Sequence, residues 1–197
     1  MSIRIDVRIP YEPGRKLAAA YNRAMQESTS EWVLFLDWDL FNCNPYWYDC
    51  CVSAIEQCGD KAGWITCVTN RIGSNSQKAK FFMADTDQPP LCNTMEKHIA
   101  YSRQMHQKYN TTNADGSLVE AKVQRFQGAL SGFFILTNKT AWKAAGGFNE
   151  SRQRLMGVDN WYSRDLSRAG YQLWGMPGLY FYHIYRQKTI MWSGKPN

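Results

Sequence analysis

No stretch of the chain approaches the roughly 18 consecutive apolar residues that a membrane-spanning helix requires. Arginine-rich runs are missing as well. Basic residues stand singly or in pairs such as Arg15-Lys16, which speaks against a groove tracking a phosphate backbone, so nucleic acid is not an expected partner. The opening Met1-Ser2-Ile3-Arg4-Ile5-Asp6 lacks the apolar core of a secretory signal, and a cytoplasmic location is the expectation. Six cysteines (Cys43, Cys50, Cys51, Cys58, Cys67, Cys92) show no metal-site spacing and, without export, are expected to remain reduced. The sequons Asn110-Thr111-Thr112 and Asn138-Lys139-Thr140 carry little weight for the same reason. Internal repeats and low-complexity tracts are absent, which excludes solenoids and linkers.

What is present fits an ordinary globular domain. The 197 residues are 44% apolar and 20% charged, enough to bury a sizeable core as one compact domain over 1–197. Subtracting 17 Asp and Glu from 23 Lys and Arg leaves +6, a balance that favours anionic partners, including phosphorylated small molecules.

Ile3, Ile5, Val7 and Ile9 alternate with Arg4, Asp6 and Arg8, a period of two that predicts a strand stopped by Pro10. Leu17, Ala20, Tyr21, Ala24 and Met25 then recur at helical spacing. Trp32-Val33-Leu34-Phe35-Leu36 is apolar throughout, as expected of a strand covered on both faces. A helix follows from Asn44-Pro45 to Gly59, then a strand over 64–69 and another over 133–137. Short helices over 140–145 and from Asp159 to Gly170 precede strand-like pieces near 173–176 and 179–182. The alternation predicts an α/β domain with a largely parallel sheet and a ligand site beyond the carboxyl ends of its strands. Residues 71–125 interrupt the pattern with polar sequence around one helix, where Asn93 and Glu96 form a capping-box pattern; this stretch reads as a lid or insertion, and 187–197 as a flexible tail.

Asp37-Trp38-Asp39 closes the apolar strand, and strand alternation places both carboxylates on one face. Two acids so close repel unless a cation neutralises them, and hard oxygen ligands select Mg²⁺ or Mn²⁺. A lone D-x-D is also a common solvated strand end. Here the pair ends a buried strand, where open α/β sheets place ligands.

Four blocks in order carry a family resemblance: Gly14 to Ala24 through Asp37-Trp38-Asp39; Ser131-Gly132-Phe133-Phe134-Ile135-Leu136 with Ala145-Gly146-Gly147-Phe148-Asn149-Glu150; Gly157-Val158-Asp159-Asn160-Trp161-Tyr162 to Tyr171; and Met176 to Arg186. Together they resemble GT-A glycosyltransferases, especially family-2-like ones, over nearly the whole chain. The resemblance implies a Rossmann-like, mixed and mostly parallel sheet flanked by helices. It also implies transfer of a sugar, from a nucleoside diphosphate sugar of the UDP-linked kind, to an acceptor hydroxyl, with inversion as the first reading and retention the alternative, because the His183 block also resembles retaining GT-A enzymes. The chain departs from the family in running almost straight from Ile9-Pro10-Tyr11 into the helix, where relatives carry a further βα unit that helps hold the base. Val158-Asp159 stands where many relatives have Glu-Asp.

By resemblance, Pro10 and Tyr11 contact the nucleobase, although a plain strand-ending Pro-Tyr reads equally well. Asp39 is the first choice of metal ligand, with Asp37 ligating or holding the ribose, and His183 completes a site for Mn²⁺ (or Mg²⁺). Asp159 is the catalytic base or a helix N-cap. Ser131 and Gly132 lie beside the sugar, and Arg71, Arg186 and Lys188 are candidates to neutralise the departing diphosphate, Arg186 with the better position. Trp38, Trp142, Trp161 or Trp192 offer faces for sugar rings. Two other functions share these features: a non-catalytic sugar-nucleotide or glycan-binding domain, and a nucleotidyltransferase on a related sheet.

Overall fold

A computed structural model describes residues 3–14, 16–81, 89–90, 94–151 and 157–184. Arg15, Cys92, Asn93, Arg186, Lys188, Trp192 and the 187–197 tail lie outside the described residues.

The predicted strands and helices form in order: β1 (Ile5–Arg8), α1 (Leu17–Glu27), β2 (Trp32–Leu36), α2 (Trp47–Cys58), β4 (Ala62–Thr69), β8 (Phe134–Asn138), α4 (Lys139–Ala144), α5 (Val158–Arg168) and β9 (Gln172–His183). Between them stand β3 (Leu40–Asn42), α3 (Met95–Tyr109), a small hairpin of β5 (Thr111–Thr112) and β6 (Leu118–Glu120), and β7 (Gln124–Phe126). Gly59, at φ 62°, closes α2, and the Asn138 side chain caps α4 by accepting the Ala141 N–H. The two strand pieces expected near 173–176 and 179–182 are one strand. Its ladder with β4 slips between the Cys67–Met176 and Val68–Tyr180 pairs, at Pro177-Gly178-Leu179.

Seven strands make the main sheet in the order β1-β2-β8-β4-β9-β3, with β7 also on β9. β1, β2, β4 and β9 point one way, while β8, β3 and β7 run against them. The sheet is thus mixed, with four strands pointing one way and three the other, the β1–β2 and β4–β9 pairs parallel, and helices on both faces. Alternation sorts its side chains. Val33, Phe35, Trp64 and Ile135 meet Tyr21 and Met25 of α1, Ala141 of α4 and Tyr162 and Leu166 of α5. Leu34, Ile65, Cys67, Phe134 and Leu136 meet Cys50, Cys51, Ala54 and Ile55 of α2. α3 packs its Tyr101 and Met105 with Val68, Tyr180 and Tyr182. The Tyr48 hydroxyl takes the Ile5 N–H at 3.2 Å and donates to the Ile3 carbonyl at 3.3 Å, covering part of the β1 edge.

Cys43, Cys50, Cys51, Cys58 and Cys67 are buried free thiols, and burial pushes Cys50 and Cys58 up to about 12. Both sequon asparagines are buried and bonded: Asn110 to the Gly178 carbonyl and the Lys122 N–H, Asn138 to the Ala62 carbonyl. Neither amide is presented for glycosylation. Among the described residues, no helix is long and apolar enough to cross a membrane.

Candidate metal centre

Because β1, β2, β4 and β9 share a direction, their carboxyl ends meet at one edge of the sheet, together with the entries to β8 and β3. Asp37 follows β2 there, its N–H donating to the Phe133 carbonyl at 3.0 Å. The facing of the two acids does not come from strand alternation. β2 ends at Leu36, and Asp37-Trp38-Asp39 belongs to the crossover that carries the chain to β3 on the far flank of β9. β3 then pairs Leu40 with His183, and the Asp39 carbonyl accepts the Ile184 N–H at 3.2 Å. This pairing brings Asp39 to the imidazole.

The outcome is a compact donor set. His183 Nε2 lies 3.1 Å from Asp39 Oδ1 and 3.9 Å from Asp37 Oδ2, and the three ligand atoms stand within 4.8 Å of one another. Donors about 2.1 Å from a shared ion stand roughly 3 to 4 Å apart, so two carboxylates and an imidazole at these separations fit Mn²⁺ or Mg²⁺. His183 Nδ1 lies 3.2 Å from the Arg71 carbonyl oxygen, which can only accept; Nδ1 therefore carries a proton, and Nε2 is the ring nitrogen turned to the acids. Phe133 stacks on the ring with centroids 5.8 Å apart.

Burial grades outward across the site. The His183 side chain is 1% exposed, Asp39 18% and Asp37 40%, with Trp38 fully out at 84%. Burial of its carboxyl raises Asp37 to about 6; the charges of Asp39 and Asp159 push the same way, against His183. Burial also acts on Asp39, but the hydrogen bond and charge of His183 outweigh it and hold Asp39 below the usual carboxylate range.

Asp159 is not the N-cap of α5; that position belongs to Gly157 at φ 92°. Asp159 Oδ2 instead accepts the Gly132 N–H at 2.8 Å, and Oδ1 the Asn160 N–H at 2.8 Å. A Cβ at position 132 would meet the Asp159 Cβ at 3.0 Å, so glycine lets the two approach without either having to give. Burial raises Asp159 despite these hydrogen bonds.

Ser131 is gripped by buried Gln77, which accepts its N–H at 2.7 Å and donates to its carbonyl at 2.9 Å, while the Ser131 hydroxyl accepts the Ser74 N–H. Pro10 and Tyr11 follow β1 at the same sheet edge, Tyr11 at 80% exposure. The Arg71 side chain is exposed, and its backbone carbonyl is what reaches the site. Trp142 donates its indole N–H to Asn22, and Trp161 lies under the Arg164 guanidinium. The sequence does not single out Asn70 or Gln77; for Asn70 the signal was an uncharged amide directly after an apolar strand, at the edge where ligands bind, and Gln77, in a short turn over 75–77, carried none.

No protein-family model matches the chain, and no curated protein matches it in sequence. Among solved structures, the chain is similar to the mannosyltransferase PcManGT from Pyrobaculum calidifontis in complex with GDP-Man and Mn²⁺, at a TM-score of 0.49 and 14% identity. That alignment covers 87% of this chain and 37% of the other.

Proposed function

We propose that the protein is a metal-dependent glycosyltransferase that moves a sugar from a nucleoside diphosphate sugar, UDP-linked in the first instance, to an acceptor hydroxyl with inversion. The observation that carries this reading is the meeting of Asp37, Asp39 and His183 at the carboxyl edge of the sheet, with the four ordered sequence blocks that resemble GT-A enzymes beside it. A bound Mn²⁺ or Mg²⁺ would supply positive charge to the departing diphosphate.

The chain's own residues divide the remaining work. Asp39 and His183 would hold the ion from the buried side and Asp37 from the rim. Asp159 takes the proton of the acceptor hydroxyl; its raised carboxyl pKa strengthens it as a base, and Gly132 and Asn160 fix its orientation. Ser131 and Gly132 border the donor sugar, and Pro10 and Tyr11 the base. Arg71 and Arg186 add charge toward the phosphates. Trp38, exposed between the two acids, would stack on a sugar ring.

The test is a thermal-shift panel of UDP-, GDP-, ADP- and dTDP-sugars with and without Mn²⁺, followed by product analysis. A Mn²⁺-dependent rise with one donor class and release of a nucleoside diphosphate are expected, and Asp159→Asn should cut turnover at least about 100-fold with the fold retained and Tm lowered only by the loss of one of its two backbone N–H bonds. Donor binding without hydrolysis or transfer would instead mark a binding domain. Release of pyrophosphate would mark nucleotidyl transfer.

A further inference from the structure

His183 is the last residue of β9, where β3 still runs on one side but β4 on the other has already ended. In the β4–β9 ladder Thr69 pairs with Phe181, so continued register would set residue 71 opposite His183; β4 stops at Thr69. The side chain of Asn70 fills the missing place. Its Oδ1 accepts the His183 N–H at 2.8 Å and its Nδ2 donates to the His183 carbonyl at 3.2 Å, the two bonds a neighbouring strand would make. The Thr69 hydroxyl donates to the same Oδ1 at 3.0 Å, which fixes the orientation of the amide. One residue on, the Arg71 carbonyl receives the imidazole Nδ1–H.

We propose that Asn70 is the positioning residue of the metal centre: its amide stands in for a strand backbone, fixes the peptide of His183 and thereby aims Nε2 at Asp37 and Asp39. This rests on the reading of those three residues as metal ligands. A primary amide has the acceptor and the donor side by side that the N–H and the C=O of one residue require. A carboxylate would set an oxygen against the His183 carbonyl, and an alanine would remove both of these bonds. Asn70 touches no reacting atom and acts through His183.

A double-mutant cycle on Mn²⁺ binding, read by calorimetry without any donor present, tests the assignment. Asn70→Ala is expected to weaken Mn²⁺ binding about tenfold, and to add nothing to the loss already caused by His183→Ala. The same factor in both backgrounds, or wild-type affinity in Asn70→Ala, would overturn it. Should Asn70→Ala fail to fold, Asn70→Asp keeps the volume and the acceptor but removes the donor, and the same pattern is required of it. A wild-type protein that binds no Mn²⁺ would sink the metal reading and this role together; binding by wild type with an unaffected Asn70→Ala sinks this role alone.

Discussion

Asp37 is the residue at which acidity controls the site most directly. Its carboxyl is raised to about 6, chiefly by burial, and a proton there competes with a metal ion for the same oxygen. Mn²⁺ affinity is therefore expected to hold steady from pH 8 to 7 and to fall by about tenfold on going to pH 5, measured by titration at each pH. An affinity independent of pH over that range would remove Asp37 from the ligand set. The sign reverses for the metal-free fold. A carboxyl raised on folding binds its proton more tightly in the folded state, so this group adds stability as pH falls from neutrality through 6. Asp39, held low by His183, works the other way and loses its contribution on acidification.

At the level of elements, β7 depends on a missing side chain. A Cβ on Gly175 would lie 2.1 Å from the Phe126 ring, which rests across β9 at that point. Gly175→Ala is expected to cost about 1–3 kcal/mol and to lower Tm with donor specificity unchanged, as read by calorimetry; an unchanged Tm would show that the ring moves aside freely. The long apolar or periodic elements, β1, β2, β4, α1, α2 and α5, were legible in the sequence because burial alone dictates their patterns. β3 and β7 were not. Three residues each, they exist only because β9 offers an edge to pair with, a tertiary cause that leaves no local periodicity. The same limit governs the site. The acids and His183 were legible as residue types in familiar order. The crossover that turns Asp39 toward His183, and the amides of Asn70 and Gln77 that hold the surrounding backbone, follow from strand pairing between segments more than 50 residues apart.

Across the whole molecule, the sheet's mixed directions gather the ends of four strands and the entries to two others at one edge. Acids, imidazole, exposed Trp38 and exposed Tyr11 all stand on that edge. The net charge of +6 surrounds this local acidic cluster with a field that favours anionic ligands, so a cation at the cluster would give a polyphosphate both a local anchor and long-range attraction. The most direct measurement is anomalous diffraction at the manganese edge from crystals grown with Mn²⁺ and a nucleoside diphosphate. The expected result is a single strong peak within coordination distance of Asp37, Asp39 and His183, with phosphate oxygens completing its shell. A peak elsewhere, or none at this edge while the nucleotide is bound, would contradict it.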